Sequence, residues 1–183
     1  NYELPSKQKV KSEIFYYKSN IFERLFPYYA TVGLLLLILL MSRIISGKKY
    51  GKIPVKILTG LIALGFLFHT LGVALRWYIS GHAPMSNGYE SMIFISWITI
   101  IGGFIFVRRS KLTLAATAVL ASLTLLVAHL SFMDPEITNL VPVLKSYWLT
   151  LHVSVITSSY GFLGMGAVLG IINLILYMIV SDT

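Results

Sequence analysis

Residues 69–97 read HTLGVALRWYISGHAPMSNGYESMIFISW, and this stretch decides the fold. It starts in an apolar run that contains His69 and Arg76, and it ends in a second apolar run at Trp97. Between the runs lies a polar connection dense in Gly, Pro, His, Asn, Tyr and Glu. Two long apolar runs joined in this way are typical of helices that cross a membrane and are connected at its surface.

The composition of the whole chain also indicates a membrane protein. Of its 183 residues, 56% are hydrophobic and 12% are charged, and the mean hydropathy is +0.78, far from the values of soluble domains. The formal net charge is +8, but most basic residues flank apolar runs, which predicts a lipid membrane as partner and no nucleic acid. The absence of cysteine excludes disulfides, thiolate metal sites and thiol chemistry from this chain.

Five apolar segments are each long enough to cross the hydrocarbon core, which takes about 20 helical residues. They are residues 27–45, 57–79, 89–107, 112–130 and 147–180. The last is too long for one simple span, so its first turns, Tyr147 to His152, are expected at the interface. The sequence therefore predicts an all-α fold, a polytopic integral membrane helix bundle with five transmembrane helices in a domain over residues 27–183.

Residues 1–26 differ from the rest and are predicted to form an amphipathic helix or linker segment. Apolar side chains recur there at three- and four-residue steps, with the charged residues on the other side of the helix. These apolar residues are Val10, Ile14, Tyr17, Ile21 and Leu25. The pattern suits a helix on the membrane surface, while a solvated linker from an upstream domain is the alternative.

The basic residues of the connections predict the orientation. An N-terminus outside and a C-terminus inside put SGKKYGK (46–52) and RRSK (108–111) on the inner side, in agreement with the positive-inside rule. The polar, Pro-containing connections at residues 80–90 and 131–148 then face outward. A functional site is therefore expected at the outer face.

The four histidines are the candidate metal ligands. His82, His129 and His152 are predicted near the outer face, whereas His69 lies about 18 Å along its span, near mid-membrane. A histidine at that depth is either a functional group or a neutral imidazole bonded to a neighbouring helix. Arg76 is seven residues further along the same helix face, where it either anchors at the interface or reaches a ligand carboxylate.

The remaining polar residues limit the kinds of metal, catalytic or cofactor site that the chain can form. Glu90 is expected to cap or pair at a helix start, with Ser86 or Asn87 as N-cap, and Asp134 and Pro135 to form a turn. The outer acids are too sparse for an acidic metal cage, and the chain has no His-x-x-x-His or GxSxG motif. Haem needs only one or two axial imidazoles in an apolar, aromatic-rich cleft, and this inventory favours it.

Two long sequence blocks resemble one known family. RWYISGHAPMSNGYESMIFISW (76–97) and LVPVLKSYWLTLHVSVITSSYGFLGMG (140–166) are similar to motifs of the CcsA/ResC cytochrome c biogenesis proteins, members of a haem-handling superfamily. The resemblance implies haem delivery to apocytochrome c at the outer face of the cytoplasmic membrane, with attachment to the two thiols of a CxxCH motif. It also implies a CcsB-type partner or fused domain.

The resemblance assigns roles to individual residues. His152 falls on the family's outward-facing histidine and is the candidate axial ligand of the haem iron, with Tyr147 and Trp148 beside it. His82 matches the first motif, where a loop-structuring role is as well supported as ligand contact. His69 and Arg76 complete the candidate haem-binding residues, and no catalytic residue is assigned.

One family feature does not occur in the sequence. The tryptophan-rich WWD loop that defines the family is not among these 183 residues. The resemblance therefore predicts the N-terminal part of a larger haem-handling domain, which belongs to a haem lyase and is inactive alone.

Two other functions stay open. Mid-membrane His69 and Arg76 would line a polar route in a transporter or channel subunit. The small-xxx-small sequence GAVLG (166–170), extended by Gly161 and Gly164, would dock a neighbouring helix in a non-catalytic assembly subunit.

Overall fold

The computed structural model describes residues 6–47, 52–130, 133, 135–137 and 146–181. Over these residues the chain forms helices and no strand. The helices are α1 (Lys7–Ser19), α2 (Ile21–Ser46), α3 (Lys52–Ser80), α4 (Gly88–Phe106), α5 (Lys111–Leu130) and α6 (Tyr147–Ser181). Five helical stretches are long and apolar enough to cross a membrane, with α1 and α2 forming the first of them together. The predicted all-α bundle with five spans is confirmed.

An elbow at Asn20 separates the first two helices. Asn20 has φ +42°, in the left-handed region that asparagine tolerates better than most residues. Helix α2 begins directly after it, whereas the apolar run predicted a start at Pro27. The earlier start is possible because Glu23 and Arg24 lie on the exposed side of α2, so their charges need not be buried.

Helix α1 contacts the bundle through a residue that the apolar periodicity does not include. Val10, Ile14 and Tyr17 of the predicted stripe are 39%, 52% and 42% exposed, whereas Tyr16 is 7% exposed. The part of the stripe in α1 thus faces away from the other helices and is available to lipid, whereas its last two residues, Ile21 and Leu25, are buried in α2. The helix itself agrees with the prediction, and its position on a membrane surface stays a prediction.

Helix α5 lies between α2 and α4, and small residues let the helices approach closely. Its buried alanines are Ala115, Ala116, Ala118, Ala121 and Ala128. A Cβ atom built on Gly33 of α2 would lie 3.0 Å from the Cβ of Ala118. On the other side, the Ser96 hydroxyl of α4 donates to the carbonyl of Ala121 at 3.1 Å. The core of the bundle is therefore a close helix sandwich centred on α5.

Helix α6 is peripheral and packs mainly against α4. Its small residues divide into two groups. A Cβ on Gly161 would lie 2.9 Å from Oγ1 of Thr99, whereas Cβ atoms on Gly166 and Gly170 would meet nothing within 4 Å. The first group packs inside the bundle as expected, while the GAVLG face is open and its docking role stays a prediction.

The polar connections meet at one end of the bundle. The hydroxyl of Tyr17 in α1 accepts from the backbone N–H of Ile137 at 2.9 Å, and Arg76 at the end of α3 donates to the carbonyl of Pro135 at 2.8 Å. Residues 81–87 join α3 to α4 at this same end. We call it the polar end.

The contact between α4 and α5 at Gly103 gives a test of the packing. A Cβ at Gly103 would overlap Oγ1 of Thr117 and lie 3.1 Å from Leu114 Cδ1. Gly103→Ala is therefore expected to lower the free energy of unfolding by about 1–3 kcal/mol through overpacking, measured as thermal unfolding in detergent micelles. Gly60→Ala is the control, because a Cβ at this exposed helical position would meet nothing within 4 Å. This variant should raise the free energy of unfolding by about 0.5–1 kcal/mol. An unfolding midpoint for Gly103→Ala at or above the wild-type value would contradict this packing.

Candidate functional site

A buried ion pair lies at the polar end. Nε of Arg76 donates to Oε1 of Glu90 at 2.9 Å, and the two side chains are 1% and 2% exposed. Arg76 is in the last turns of α3 and Glu90 in the first turn of α4. The pair joins these helices across the connection of residues 81–87.

The other donors of Arg76 bind two further parts of the chain. Nη1 donates to the hydroxyl of Tyr16 in α1 at 3.1 Å and to the carbonyl of Pro135 at 2.8 Å. Nη2 donates to the carbonyl of Glu136 at 3.2 Å, and the guanidinium lies 5.0 Å from the ring centroid of Tyr89. These residues form what we call the arginine cluster. Each nitrogen of its guanidinium thus has a protein partner, and a role as interface anchor or ligand contact stays a prediction.

The start of α4 is built around Glu90. Asn87 is the N-cap of α4, because its Oδ1 accepts from the backbone N–H of Glu90 at 2.8 Å. The sequence predicted either Ser86 or Asn87 at this position. Oε2 of Glu90 accepts from the backbone N–H of Ser86 at 2.8 Å. A carboxylate in the first turn is also favoured by the helix dipole. Glu90 therefore both caps and pairs, as expected from its position.

His82 helps to shape the connection before α4. Its Nδ1 lies 3.0 Å from the hydroxyl of Ser86 and 3.2 Å from the carbonyl of Ala83. The side chain is half-buried. This geometry agrees with a loop-structuring role, while ligand contact by His82 stays a prediction.

His69 lies in a closed helix interface. It is 0% exposed, and the rings of Phe22 and Tyr29 lie 5.5 Å and 6.0 Å from its own. Nε2 is 3.3 Å from the carbonyl of Ile93 and Nδ1 is 3.5 Å from the hydroxyl of Tyr29. A carbonyl can only accept, so Nε2 carries the proton and Nδ1 accepts from Tyr29. This geometry agrees with the helix-bonded imidazole, while haem contact by His69 stays a prediction.

The candidate residues of α6 are exposed, whereas His69 is buried. Tyr147 and Trp148 are 76% and 74% exposed, their ring centroids are 5.9 Å apart, and His152 one turn further is also exposed. Across the described part of the chain, no hydrogen bond or ring contact joins His152 to the arginine cluster or to His69. The predicted site residues thus form a buried group and an exposed group.

The exposed group contains residue types that can contact an iron porphyrin. In the described residues no three His, Asp or Glu side chains come together as a metal cage, but haem requires only an axial imidazole with apolar and aromatic surfaces around it. His152 offers an accessible ring beside Trp148 and Tyr147 on an apolar helix. His129 is the other exposed histidine, and it stacks on Phe26 at 5.6 Å.

The family model described as Cytochrome C assembly protein matches residues 85–180, which include the start of α4 and almost all of α6. The chain belongs to this family. The resemblance seen in the sequence is therefore confirmed, and with it a role in cytochrome c biogenesis. Residues His69, Arg76 and His82 lie outside the matched region, whereas His152 and its aromatic neighbours lie inside it.

Individual relatives extend the similarity. Protein NrfI of Wolinella succinogenes is 46% identical over 180 residues, which cover 98% of this chain and 20% of that protein. The cytochrome c biogenesis protein CcsA of Prochlorococcus marinus (strain MIT 9301) is 36% identical over 126 residues, or 67% of this chain and 40% of CcsA. CcsA of Cyanophora paradoxa is 43% identical over 104 residues, or 54% of this chain and 32% of CcsA. The chain spans less than half the length of each of these relatives.

The arginine cluster predicts a strong dependence of stability on Arg76. Arg76→Leu leaves the buried Glu90 carboxylate without its cation, and should cost about 3–5 kcal/mol of unfolding free energy. The double variant with Glu90→Leu should cost less than the sum of the two single variants, because it leaves no unpaired charge. Chemical unfolding in detergent micelles measures both, and exposed Arg24→Leu is the control. Additive losses would show that the pair does not act as a unit.

Proposed function

We propose that this chain presents haem through His152 and contributes to its attachment to apocytochrome c at the outer face of the cytoplasmic membrane. The observation that carries the proposal is the exposed imidazole of His152, beside exposed Trp148 and Tyr147, inside the family-matched region. Haem is the substrate in this scheme. The attachment belongs to the whole protein, of which this chain holds a part of the haem lyase site.

The exposed group of α6 has the chemistry that holding haem requires. A neutral imidazole has one nitrogen lone pair that can bind iron. Among the described residues no hydrogen bond occupies the ring nitrogens of His152, whereas both ring nitrogens of His69 have partners. The rings of Trp148 and Tyr147 offer apolar surface and a polar edge at the depth of the lipid headgroups. Iron ligation by His152 and ring contacts would together fix the haem at the interface.

Apocytochrome c supplies the reacting groups. This chain contains no cysteine, so the two thiols of a CxxCH motif come from the partner. The chain's contribution is to hold the haem, and a CcsB-type partner or fused domain completes the assembly. We also place the polar end of the bundle on the outer side, with the N-terminus outside, because the basic residues of the other connections favour the inner side.

The surroundings of His69 argue against the transporter alternative. That imidazole is packed by Phe22 and Tyr29 and bonded to the carbonyl of Ile93, whereas a polar route needs water or a chain of exchangeable groups. Arg76 is likewise enclosed by the arginine cluster. Haem handling is therefore the function that the residues support best.

The role of His152 is tested by substitution in the full-length membrane protein. His152→Ala should lower the amount of co-purified haem or shift its absorption spectrum, because an axial ligand is lost. Added imidazole should restore the spectrum, a rescue that a purely structural histidine would not show. Tyr160→Ala is the control, since Tyr160 is also exposed on α6 but lies about two turns beyond His152. Unchanged haem content, spectrum and cytochrome c maturation in His152→Ala would contradict the assignment.

The proposed orientation has its own test. Ser146→Cys, at the start of α6, and Ser110→Cys, between α4 and α5, each introduce the only cysteine into this chain. A membrane-impermeant maleimide added to intact cells or spheroplasts should label Cys at 146 and leave Cys at 110 unlabelled until the membrane is opened. Both changes replace one oxygen by sulfur and should leave the fold intact. The reverse labelling pattern would invert the topology.

A further inference from the structure

Two adjacent cavities lie at the elbow between α1 and α2, at the polar end. One has a volume of about 210 Å³ and includes His129 and Met133 in its lining. The other has about 170 Å³ and includes Tyr17 and Asn20. The two share four lining residues, Phe22, Glu23, Tyr89 and Pro135. Together they form what we call the elbow groove.

The elbow groove has an acidic group in an aromatic wall. Glu23 lines both cavities and is 54% exposed, and its nearest basic group in the described chain is Nδ1 of His129 at 4.0 Å, beyond hydrogen-bond distance. The side chains of Phe22 and Tyr89 stand beside it. A carboxylate attracts a cation by direct charge, and aromatic rings in the lining of the same groove can add a cation–π contact.

The same end of the molecule already binds a guanidinium with this set of groups. Arg76 lies 5.0 Å from the ring centroid of Tyr89, pairs with the carboxylate of Glu90 and donates to the hydroxyl of Tyr16. Tyr89 and Tyr16 therefore belong to the arginine cluster and also line the elbow groove, where the exposed carboxylate is that of Glu23.

Size and charge limit what the groove can hold. Each of the two cavities is smaller than the about 300–1,000 Å³ of pockets that enclose whole small molecules, so each has room for one side chain. Glu23 is an exposed carboxylate in the groove, so the groove attracts a cationic group. The complementary occupant is a single basic side chain.

We propose that the elbow groove binds a lysine or arginine side chain of the polypeptide that receives haem. The identity of that polypeptide as apocytochrome c rests on the proposed function, whereas the chemistry of the groove does not. Glu23 supplies the charge, and Phe22 and Tyr89 supply the aromatic walls. The contact orients the polypeptide at the polar end of the bundle.

The direct test compares Glu23→Gln with the wild type in the full-length protein in lipid nanodiscs. Fluorescence anisotropy with labelled apocytochrome c should show about three- to tenfold weaker binding, as expected for loss of one ion pair with aromatic support. The difference should shrink as salt is raised from low ionic strength, because exposed charges are screened. Glu13→Gln is the matched control, since it removes the same charge from α1 outside the groove. Equal affinities of wild type and Glu23→Gln at low salt would overturn the proposal.

Two further experiments distinguish the possible sources of the cation. They also distinguish failure of the groove proposal from failure of the proposed function. A heptapeptide with one arginine among glycines, and its glutamine analogue, probe the groove without apocytochrome c. Binding of the arginine peptide that depends on Glu23, together with no apocytochrome c binding, would support the groove and contradict the proposed partner. Apocytochrome c binding that is insensitive to Glu23→Gln would support the partner and overturn the groove. Glu23-dependent retention of phosphatidylethanolamine over phosphatidylglycerol, without peptide binding, would overturn the polypeptide assignment in favour of a lipid headgroup.

Discussion

The buried ion pair of Arg76 and Glu90 is the constraint on which the polar end of this bundle depends. Two opposite charges taken out of water are costly, and their attraction offsets that cost only when further hydrogen bonds satisfy the remaining groups. Here the guanidinium also binds Tyr16 and two backbone carbonyls, and the carboxylate accepts from the backbone N–H of Ser86. Because each partner comes from a different part of the chain, the pair fixes α1, α3, α4 and residues 135–136 relative to one another.

This arrangement separates rigid polar groups from accessible ones. His69 and Arg76 are enclosed and their polar atoms have protein partners, so they stabilise the bundle. His152 and Trp148 are exposed on the peripheral helix α6, where ligands can approach. The structure thus has a fixed polar end and a separate group of accessible aromatic and imidazole side chains.

The sequence predicted much of the fold because long apolar runs and basic connections have a direct physical cause in the bilayer. It placed the start of α2 too late, since Glu23 and Arg24 made the run look shorter although both lie on an exposed side. It considered Glu90 as a pairing residue but did not identify Arg76 as the partner. Tyr16 was missed because it falls outside the apolar stripe. The sequence did contain a signal for this ion pair, because charged residues are scarce there and Arg76 and Glu90 flank the same connection.

The buried and the exposed histidines differ in whether their ring nitrogens already have protein partners. An imidazole has two nitrogens, and burial without water requires a hydrogen-bond partner for each of them. His69 meets that requirement through Ile93 and Tyr29, which stabilises the helix contact but uses the lone pair that iron would need. His152 remains in contact with the surroundings, and its lone pair stays available. In a helical membrane bundle, the histidine that binds an external iron is therefore expected on an exposed surface, near groups that can cover it once the ligand is bound.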